Sequence, residues 1–302
     1  MKLQELSCNV ELSILIPVHN EECVARVSEL KRQCDAIKGM SYEIIVMDDG
    51  STLTNTIEAN RAISHMKHCT LVEHSDNHGS AATRNELADI SHYKWILFLD
   101  SDMEIADNSF IMRYIAMMNE DAVINGGIAI AERHEMEGCN LRYMYERREE
   151  RNHVAAKRKL HPYQSFRSTN FMIPKAWMVH CRFDADKAGY EDVFFGRILE
   201  EHRHRVIHID NPTIMHHFED NAHYMDKIDH SLDVLYAHRH DFRSYSRLIT
   251  CTIRLKRFMP LSLVRTWHRL FGQWERRVLT SSKPNLFVFR LYQLGYYVSK
   301  TK

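Results

Sequence analysis

Five apolar residues, Trp95 to Leu99, run without polar alternation straight into Asp100-Ser101-Asp102. Such a run reads as a strand buried on both faces, the kind found in sheets covered on either side. Two carboxylates at i, i+2 then sit at the C-terminal end of the strand, where open α/β sheets collect their ligands. Their oxygens suit a hard divalent cation, Mn²⁺ or Mg²⁺, and such a cation commonly holds a diphosphate. Asp and Ser also favour turns, so the tripeptide alone is equally consistent with a plain strand-closing turn.

The chain on either side repeats the pattern. SILIPVHNEE (13–22) reads as a short strand ended by Pro17, which cannot donate to a central ladder. Helix-spaced apolar positions follow over 21–38. EIIVMDDGS (43–51) is a second buried strand, after which Ser51 or Thr52 can cap a helix. CTLVEHS (69–75) is a third, and SAATRNELADI (80–90) is a helix opening after Gly79. Strands alternating with helices predict a doubly wound, mostly parallel sheet. Polar clusters at 17–22, 48–51, 76–79 and 100–102 fall after strand ends, so the loops converge on one cleft. Further on, 108–119 reads as a helix, 121–132 as a strand, a charged helical stretch leads to FRSTNFMIP (166–174), and 189–202 reads as a helix. A strand with its exit loop follows at 205–221, and 222–302 reads as a helical C-terminal extension. The expected division is a catalytic domain over 1–221 and the extension over 222–302.

The 44% hydrophobic and 26% charged fractions are those of a globular protein. The N-terminal residues lack a signal-peptide pattern, and no apolar stretch reaches the ~18 residues of a membrane span. Seven cysteines form no CxxC pair, which suits reduced thiols and a cytoplasmic setting. Residues 251–302 hold eleven Lys/Arg against Glu275 alone, so a tail of net +10 follows a body of net −10. Such asymmetry directs the basic part toward an anionic membrane surface, peripheral on the inner face of the plasma membrane, or toward nucleic acid. No nucleic-acid module accompanies it, so nucleic acid is not expected as a partner.

The motifs Pro17-Val18-His19-Asn20-Glu21, Asp48-Asp49-Gly50-Ser51, Asn77-x-Gly79 with Arg84-Asn85, Asp100-Ser101-Asp102, Thr169-Asn170 and Glu191-Asp192 occur in this order and spacing. Together, over roughly residues 12–220, the chain resembles the inverting family 2 glycosyltransferases of the GT-A fold, of bacterial polysaccharide type. Phe183-Asp184 upstream of the acidic pair strengthens the resemblance. It implies an α/β GT-A domain that transfers a hexosyl or N-acetylhexosaminyl unit from a nucleotide sugar, with a UDP-sugar preferred, to a saccharide or lipid-linked acceptor.

The resemblance also implies roles. Asp49 accepts from the nucleobase N–H, while Asp48 suits a turn cap; Pro17 and His19 line base and ribose, and Glu21, Gly79 and Ser101 belong to the donor side. Arg84, on a helix after a glycine loop, can reach phosphate oxygens. Asp102 coordinates the cation and Asp100 contacts ribose or sugar. An inverting transfer is one displacement and needs a carboxylate to take the acceptor proton. The family pattern gives that role to Asp192, with Glu191 orienting the acceptor and Thr169 and Asn170 on the acceptor side. Helix N-termini also favour acidic residues for electrostatic reasons alone.

The resemblance to metal-dependent galactosaminyl and galactosyl transferases makes His217 the third metal ligand, ahead of His216, although nine of the twenty histidines lie in 202–240. The basic segment 142–159 is either a solvated helix or a flap beside the cleft. The basic, aromatic stretch from 251 either lies on an anionic membrane or packs on the core. A sugar-1-phosphate nucleotidyltransferase would need a Gly-rich loop where Val18-His19-Asn20-Glu21 stands. A degenerate GT-A domain acting as a non-catalytic binding protein is the remaining alternative, opposed by the intact carboxylates.

Overall fold

The computed structural model describes residues 10–118, 121–187, 189–243 and 245–301. Cys8 and the end of the 108–119 segment lie outside them; the six described cysteines are free thiols. In chain order the elements begin with β1 (Val10–Val18), α1 (Val24–Asp35), β2 (Met40–Asp48), α2 (Thr54–Asn60), β3 (Cys69–Glu73), α3 (Ser80–Ile90) and β4 (Trp95–Leu99). Then come β5 (Met103–Ile105), α4 (Phe110–Ile115), β6 (Ala122–Asn125), β7 (Ile128–Ile130), α5 (Leu141–Glu149), α6 (Ala155–Arg158) and β8 (Asn170–Pro174). The remainder are α7 (Glu191–Glu201), β9 (Arg205–His208), β10 (Thr213–Met215), α8 (Asn221–Ala237), α9 (Arg247–Leu255), α10 (Leu261–Leu279) and α11 (Leu286–Lys300).

A seven-stranded sheet has the order β3-β2-β1-β4-β8-β6-β9. Its first four strands are parallel, and β8 runs antiparallel to both β4 and β6. The central strand β4 and the inner parts of β1 and β2 are apolar because each covers two cores. Ile14, Ile16, Ile44, Val46, Leu97 and Leu99 pack with α1 and α4 on one face. Leu15, Ile45, Met47, Ile96 and Phe98 pack with α3 and α7 on the other. Period-2 alternation therefore sorts apolar residues between two buried faces, and no solvent-facing polar row is needed.

Pro17 does not end its strand. β1 continues to Val18, pairing with β2 as far as Val18↔Asp48. Val18 O accepts from Asp49 N, so even-numbered residues of β1 bond toward β2 and odd-numbered ones toward β4. The β1–β4 register stops at Leu15↔Phe98, and the missing N–H of Pro17 falls beyond it. The 121–132 segment is likewise not one strand. Gly126-Gly127 breaks it, sending β6 into the large sheet and β7 into a three-stranded sheet of order β5-β10-β7.

The chain divides into two units. The first holds the described residues up to Ala131, Asn152–Asp186 and Glu191–His216, and with them both sheets. The second holds Glu132–Arg151, Lys187–Tyr190 and His217–Lys302. Thus α5 and Lys187–Tyr190 group with the C-terminal helices although they precede residue 222. In this second unit Leu141, Tyr224, Met225, Leu279, Phe289 and Tyr292 form the core. Arg276 is clamped there between Asp226 and Asp229, and Tyr292 donates to Asp229 at 2.8 Å.

The boundary cuts the basic segment 142–159 in two. On the second unit, Arg142 pairs with Glu219. On the first, Arg158 is buried and is neither a solvated charge nor part of a flap. Its guanidinium donates to the carbonyls of Asn125, Gly126, His153 and Ile209, to Asn125 Oδ1 and to His208 Nδ1. Among the described residues no carboxylate lies at bonding distance from it, and burial lowers its pKa to about 10.

Candidate active site

Parallel pairing brings the ends of β1, β2, β3 and β4 to one side of the sheet. At the end of β2 the two aspartates separate by role. Asp48 Oδ1 accepts the Ser51 N–H at 2.9 Å and closes a turn. Gly50 in that turn has φ +67°, and a Cβ there would lie 2.4 Å from the Asp76 carbonyl carbon. Glycine alone lets this turn lie against the 76–79 loop. Asp49 faces the same loop, accepting from His78 N at 2.8 Å and Gly79 N at 2.9 Å, one on each oxygen. Each oxygen keeps a further lone pair for a ligand donor.

His19 is exposed, with Nδ1 3.0 Å from Asp49 O and 3.1 Å from Asn77 Nδ2, while Pro17 is half-buried. Glu21, expected on the donor side, pairs with Arg26 of α1 at 3.0 Å. Asn20 was not singled out by sequence reasoning. It adopts φ +56°, a region Asn tolerates, and its Oδ1 accepts from Thr52 N at 2.8 Å and Leu53 N at 3.0 Å. These bonds fix the segment that leads into α2. Neither Ser51 nor Thr52 caps α2, whose N-cap position is Leu53.

α3 opens at Gly79, φ +88°, and carries Arg84 inward. Arg84 was expected to meet phosphate oxygens. It is instead buried, donating to Asp100 Oδ1 at 2.5 Å with its guanidinium over the Phe183 ring. Burial works against the Arg84 charge, but Asp100, with Asp192 and Glu191 near by, holds its pKa above the ordinary value. Burial raises the pKa of Asp100; Arg84 pulls it down, and Asp102 and Asp192 push it up. Ser101 is buried, and Asp100 N donates to Thr169 O at 3.0 Å. Among the described residues, none donates to the half-exposed Asp102 carboxylate.

Glu191 and Asp192 form the first turn of α7, where the helix dipole favours acids. Asp192 Oδ1 accepts from Ser168 N at 3.0 Å and Ser168 Oγ at 2.5 Å, and Arg167 lies 3.8 Å from Oδ2. Ser80 Oγ donates to Glu191 Oε1 at 3.2 Å. Ser80, Arg167 and Ser168 carried no motif signal beyond standing next to Gly79 and Thr169. Thr169 is half-buried. Asn170 was expected to meet an acceptor, but its side chain is fully buried. Its amide donates to the Gly127 and Asn211 carbonyls and accepts from Tyr114 Oη, so it ties β8 to the 126–127 and 211 turns.

The β5–β10 register pairs Met103 with Met215. Asp102 directly precedes β5 and His216 directly follows β10, at the end of this register. His216 Nε2 is 3.5 Å from Glu104 Oε1. His217 is exposed and begins the C-terminal stretch of the second unit.

A profile described as "Glycosyl transferase family 2" matches residues 13–187, more than half of the chain and all the strand-end motifs just described. The chain belongs to glycosyl transferase family 2. This family 2 chain is 32% identical over 116 residues to an "Uncharacterized glycosyltransferase" of Haemophilus influenzae; the match covers 38% of the chain and 46%, just under half, of that relative. Among solved structures it is similar to the mannosyltransferase PcManGT of Pyrobaculum calidifontis, in complex with GDP-Man and Mn²⁺. The TM-score is 0.59 at 12% identity, covering 97% of this chain and 86% of that one. It is also similar to residues 1–349 of TarS from S. aureus, with a TM-score of 0.51 at 14% identity, covering 97% and 91%. Identities this low speak for the fold, which is the GT-A fold with C-terminal helices.

The family 2 site fits a divalent cation by its own chemistry. Asp100, Glu191 and Asp192 lie near Arg84, Asp102 lies near Asp100, and Arg167 stands against Asp192. Four carboxylates against two guanidiniums leave two negative charges, and the hard oxygen donors match Mn²⁺ or Mg²⁺.

Proposed function

We propose that the chain is an inverting, metal-dependent hexosyltransferase. It moves a hexosyl or N-acetylhexosaminyl unit from a UDP-sugar to a saccharide or lipid-linked saccharide. The observation that carries this reading is the setting of Asp192. A backbone N–H and a hydroxyl, both from Ser168, fix one of its oxygens within the charge cluster that holds Asp100 and Asp102. A base must be held rigidly to take a proton from an attacking hydroxyl, and this carboxylate is so held.

In this mechanism Asp49 receives the nucleobase N–H beside His19 and Pro17, and Asp100 meets the ribose or sugar. Asp102 holds the cation, with His217 or its neighbour His216 as a further ligand. Mn²⁺ or Mg²⁺ supplies electrostatic neutralisation of the charge that grows on the departing diphosphate. Asp192 takes the acceptor proton as its oxygen attacks the anomeric carbon, and Glu191, braced by Ser80, orients the acceptor. Arg84 acts on this chemistry through Asp100, by keeping that carboxylate ionised and in place.

The acceptor reading draws support from the second unit. On α10, Leu263, Trp267, Leu270, Phe271 and Trp274 are all exposed and share one face at helical spacing. Gly272, Glu275 and Leu279 form a different, buried face. Arg269 and Arg277 on α10, and Arg254, Lys256 and Arg257 at the end of α9, are exposed. An apolar stripe rimmed by cations suits the headgroup boundary of an anionic membrane, with the enzyme peripheral on its cytoplasmic face. No helix among the described residues is long and apolar enough to cross a membrane.

A thermal-shift panel of nucleotide sugars tests the function. A UDP-sugar should raise the melting midpoint with Mn²⁺ present and much less after chelation, since only a ligand of the native state stabilises it. NMR of the product made with that donor should then show an inverted anomeric centre. No shift with any nucleotide sugar, or a retained configuration, overturns the reading.

A further inference from the structure

His74 and His78 stand in the loop after β3, beside Asp49, and none of the proposed chemistry uses them. Their rings lie 4.4 Å apart at 30°. His74 Nε2 is 3.1 Å from Glu86 Oε2, and His78 Nδ1 is 3.2 Å from Glu86 Oε1. A carboxylate only accepts, so a neutral His74 donates to Glu86 through Nε2 and turns its Nδ1 lone pair toward Asp49. Nδ1 is buried, has no hydrogen-bond partner among the described residues, and faces Asp49 Oδ1 at 3.6 Å. In the neutral form two lone pairs face each other there, and a proton or a metal cation between them relieves the repulsion. One ligand atom each from Asp49, His74 and His78 falls within 4.8 Å of the others.

We propose that Asp49, His74 and His78 form a second metal site, distinct from the Asp102 site and selective for Zn²⁺ over Mg²⁺. Two imidazoles and one carboxylate are a donor set for a borderline cation, whereas Mg²⁺ takes oxygen ligands. Glu86 is a positioning residue: a carboxylate on the far ring nitrogen of a metal-bound histidine fixes the tautomer and aims the lone pair. Three protein ligands leave a position open on the metal. Zn²⁺ there occupies one Asp49 oxygen and draws on the carboxylate's charge, so it competes with a nucleobase. This last step rests on the assignment of Asp49 to the nucleobase; the metal site itself does not.

Calorimetry with Zn²⁺ alone, on the full chain without a histidine tag, tests the site. The Asp102→Ala protein should keep one Zn²⁺ equivalent that Mg²⁺ does not displace. Adding His74→Gln and His78→Gln should weaken that equivalent more than tenfold, and Glu86→Gln should weaken it about 10–100-fold. Equal affinity in the double-histidine variant overturns the proposal. Zinc-edge X-ray absorption on the unsubstituted chain decides the case if that variant misfolds: two imidazole ligands are expected, and none overturns the site. UDP titrated with Mn²⁺, with and without one further equivalent of Zn²⁺, separates the two ideas. Weakening in the unsubstituted chain but not in the double-histidine variant supports competition. Zinc bound through the histidines with UDP affinity unchanged supports the metal site and removes the nucleobase from Asp49.

Discussion

Arg84 Nη2 and Asp100 Oδ1 meet at 2.5 Å, and their ion pair links the start of α3 to the end of β4. The Arg84 side chain is 6% exposed and that of Asp100 26%. Removing the guanidinium leaves a largely buried carboxylate without its partner. Arg84→Ala is therefore expected to cost about 3 kcal/mol of stability, the low end for breaking a buried pair because Asp100 keeps some solvent. Urea denaturation measures it. A loss under about 0.5 kcal/mol, with UDP affinity falling instead, would return Arg84 to the phosphates.

Asp192→Asn keeps the volume and the Ser168 contacts but cannot take a proton. Transfer should fall 10²–10⁴-fold, as for loss of a general base, with the affinity for UDP and Mn²⁺ unchanged. Initial rates with the cognate acceptor check this. A loss below about threefold would pass the role to Glu191.

In the proposed mechanism Asp102 reaches the diphosphate only through a cation, so Asp102→Ala and chelation should weaken UDP binding alike. Calorimetry with and without EDTA compares them. Equal UDP affinity in all three conditions would remove the metal-dependent mechanism.

His208 supplies a pH dependence of stability. It is fully buried, accepts from Arg158 through Nδ1 at 2.6 Å and donates through Nε2 to Pro162 O at 2.8 Å. Burial, with the Arg158 charge beside it, lowers its pKa from 6.5 to about 4. The unfolded chain therefore takes up this proton first as pH falls. Stability is complete above about pH 6.5 and declines as pH drops toward 4, by up to about 3 kcal/mol from this one group. Gln can accept and donate at the same two points, so His208→Gln should flatten the unfolding free energy over that window. An unchanged slope would place the pH dependence elsewhere.

The exposed stripe of α10 makes a last prediction. Leu270→Glu with Trp274→Glu should lower binding to anionic vesicles more than tenfold, with the melting midpoint unchanged because both side chains face solvent. Co-sedimentation at low and high salt reads it, since each basic residue near an anionic surface contributes about 1 kcal/mol and salt screens it. Unaltered vesicle binding, or none by the starting protein, would leave the stripe for a protein partner.

Much of the fold was legible in the sequence because it depends on local pattern. Four apolar runs ending in polar clusters specify parallel strands, and Gly79 followed by eleven helix-compatible residues specifies α3 over Ser80–Ile90. The same local chemistry separates Asp48, which closes its own turn, from Asp49, which faces the 76–79 loop. What the sequence could not say is which polar side chains remain free for a ligand, because that depends on partners distant in the chain. Arg84 is taken by Asp100, Glu21 by Arg26, and Asn170 by carbonyls 41 and 43 residues away. The break of 121–132 at Gly126-Gly127 and the burial of Arg158 beneath β6 and β9 are likewise tertiary decisions, made where unpaired carbonyls needed a donor. A linear pattern records what each residue can do; only packing decides which buried partner claims it, since a buried polar group left unpaired costs more than any local preference returns.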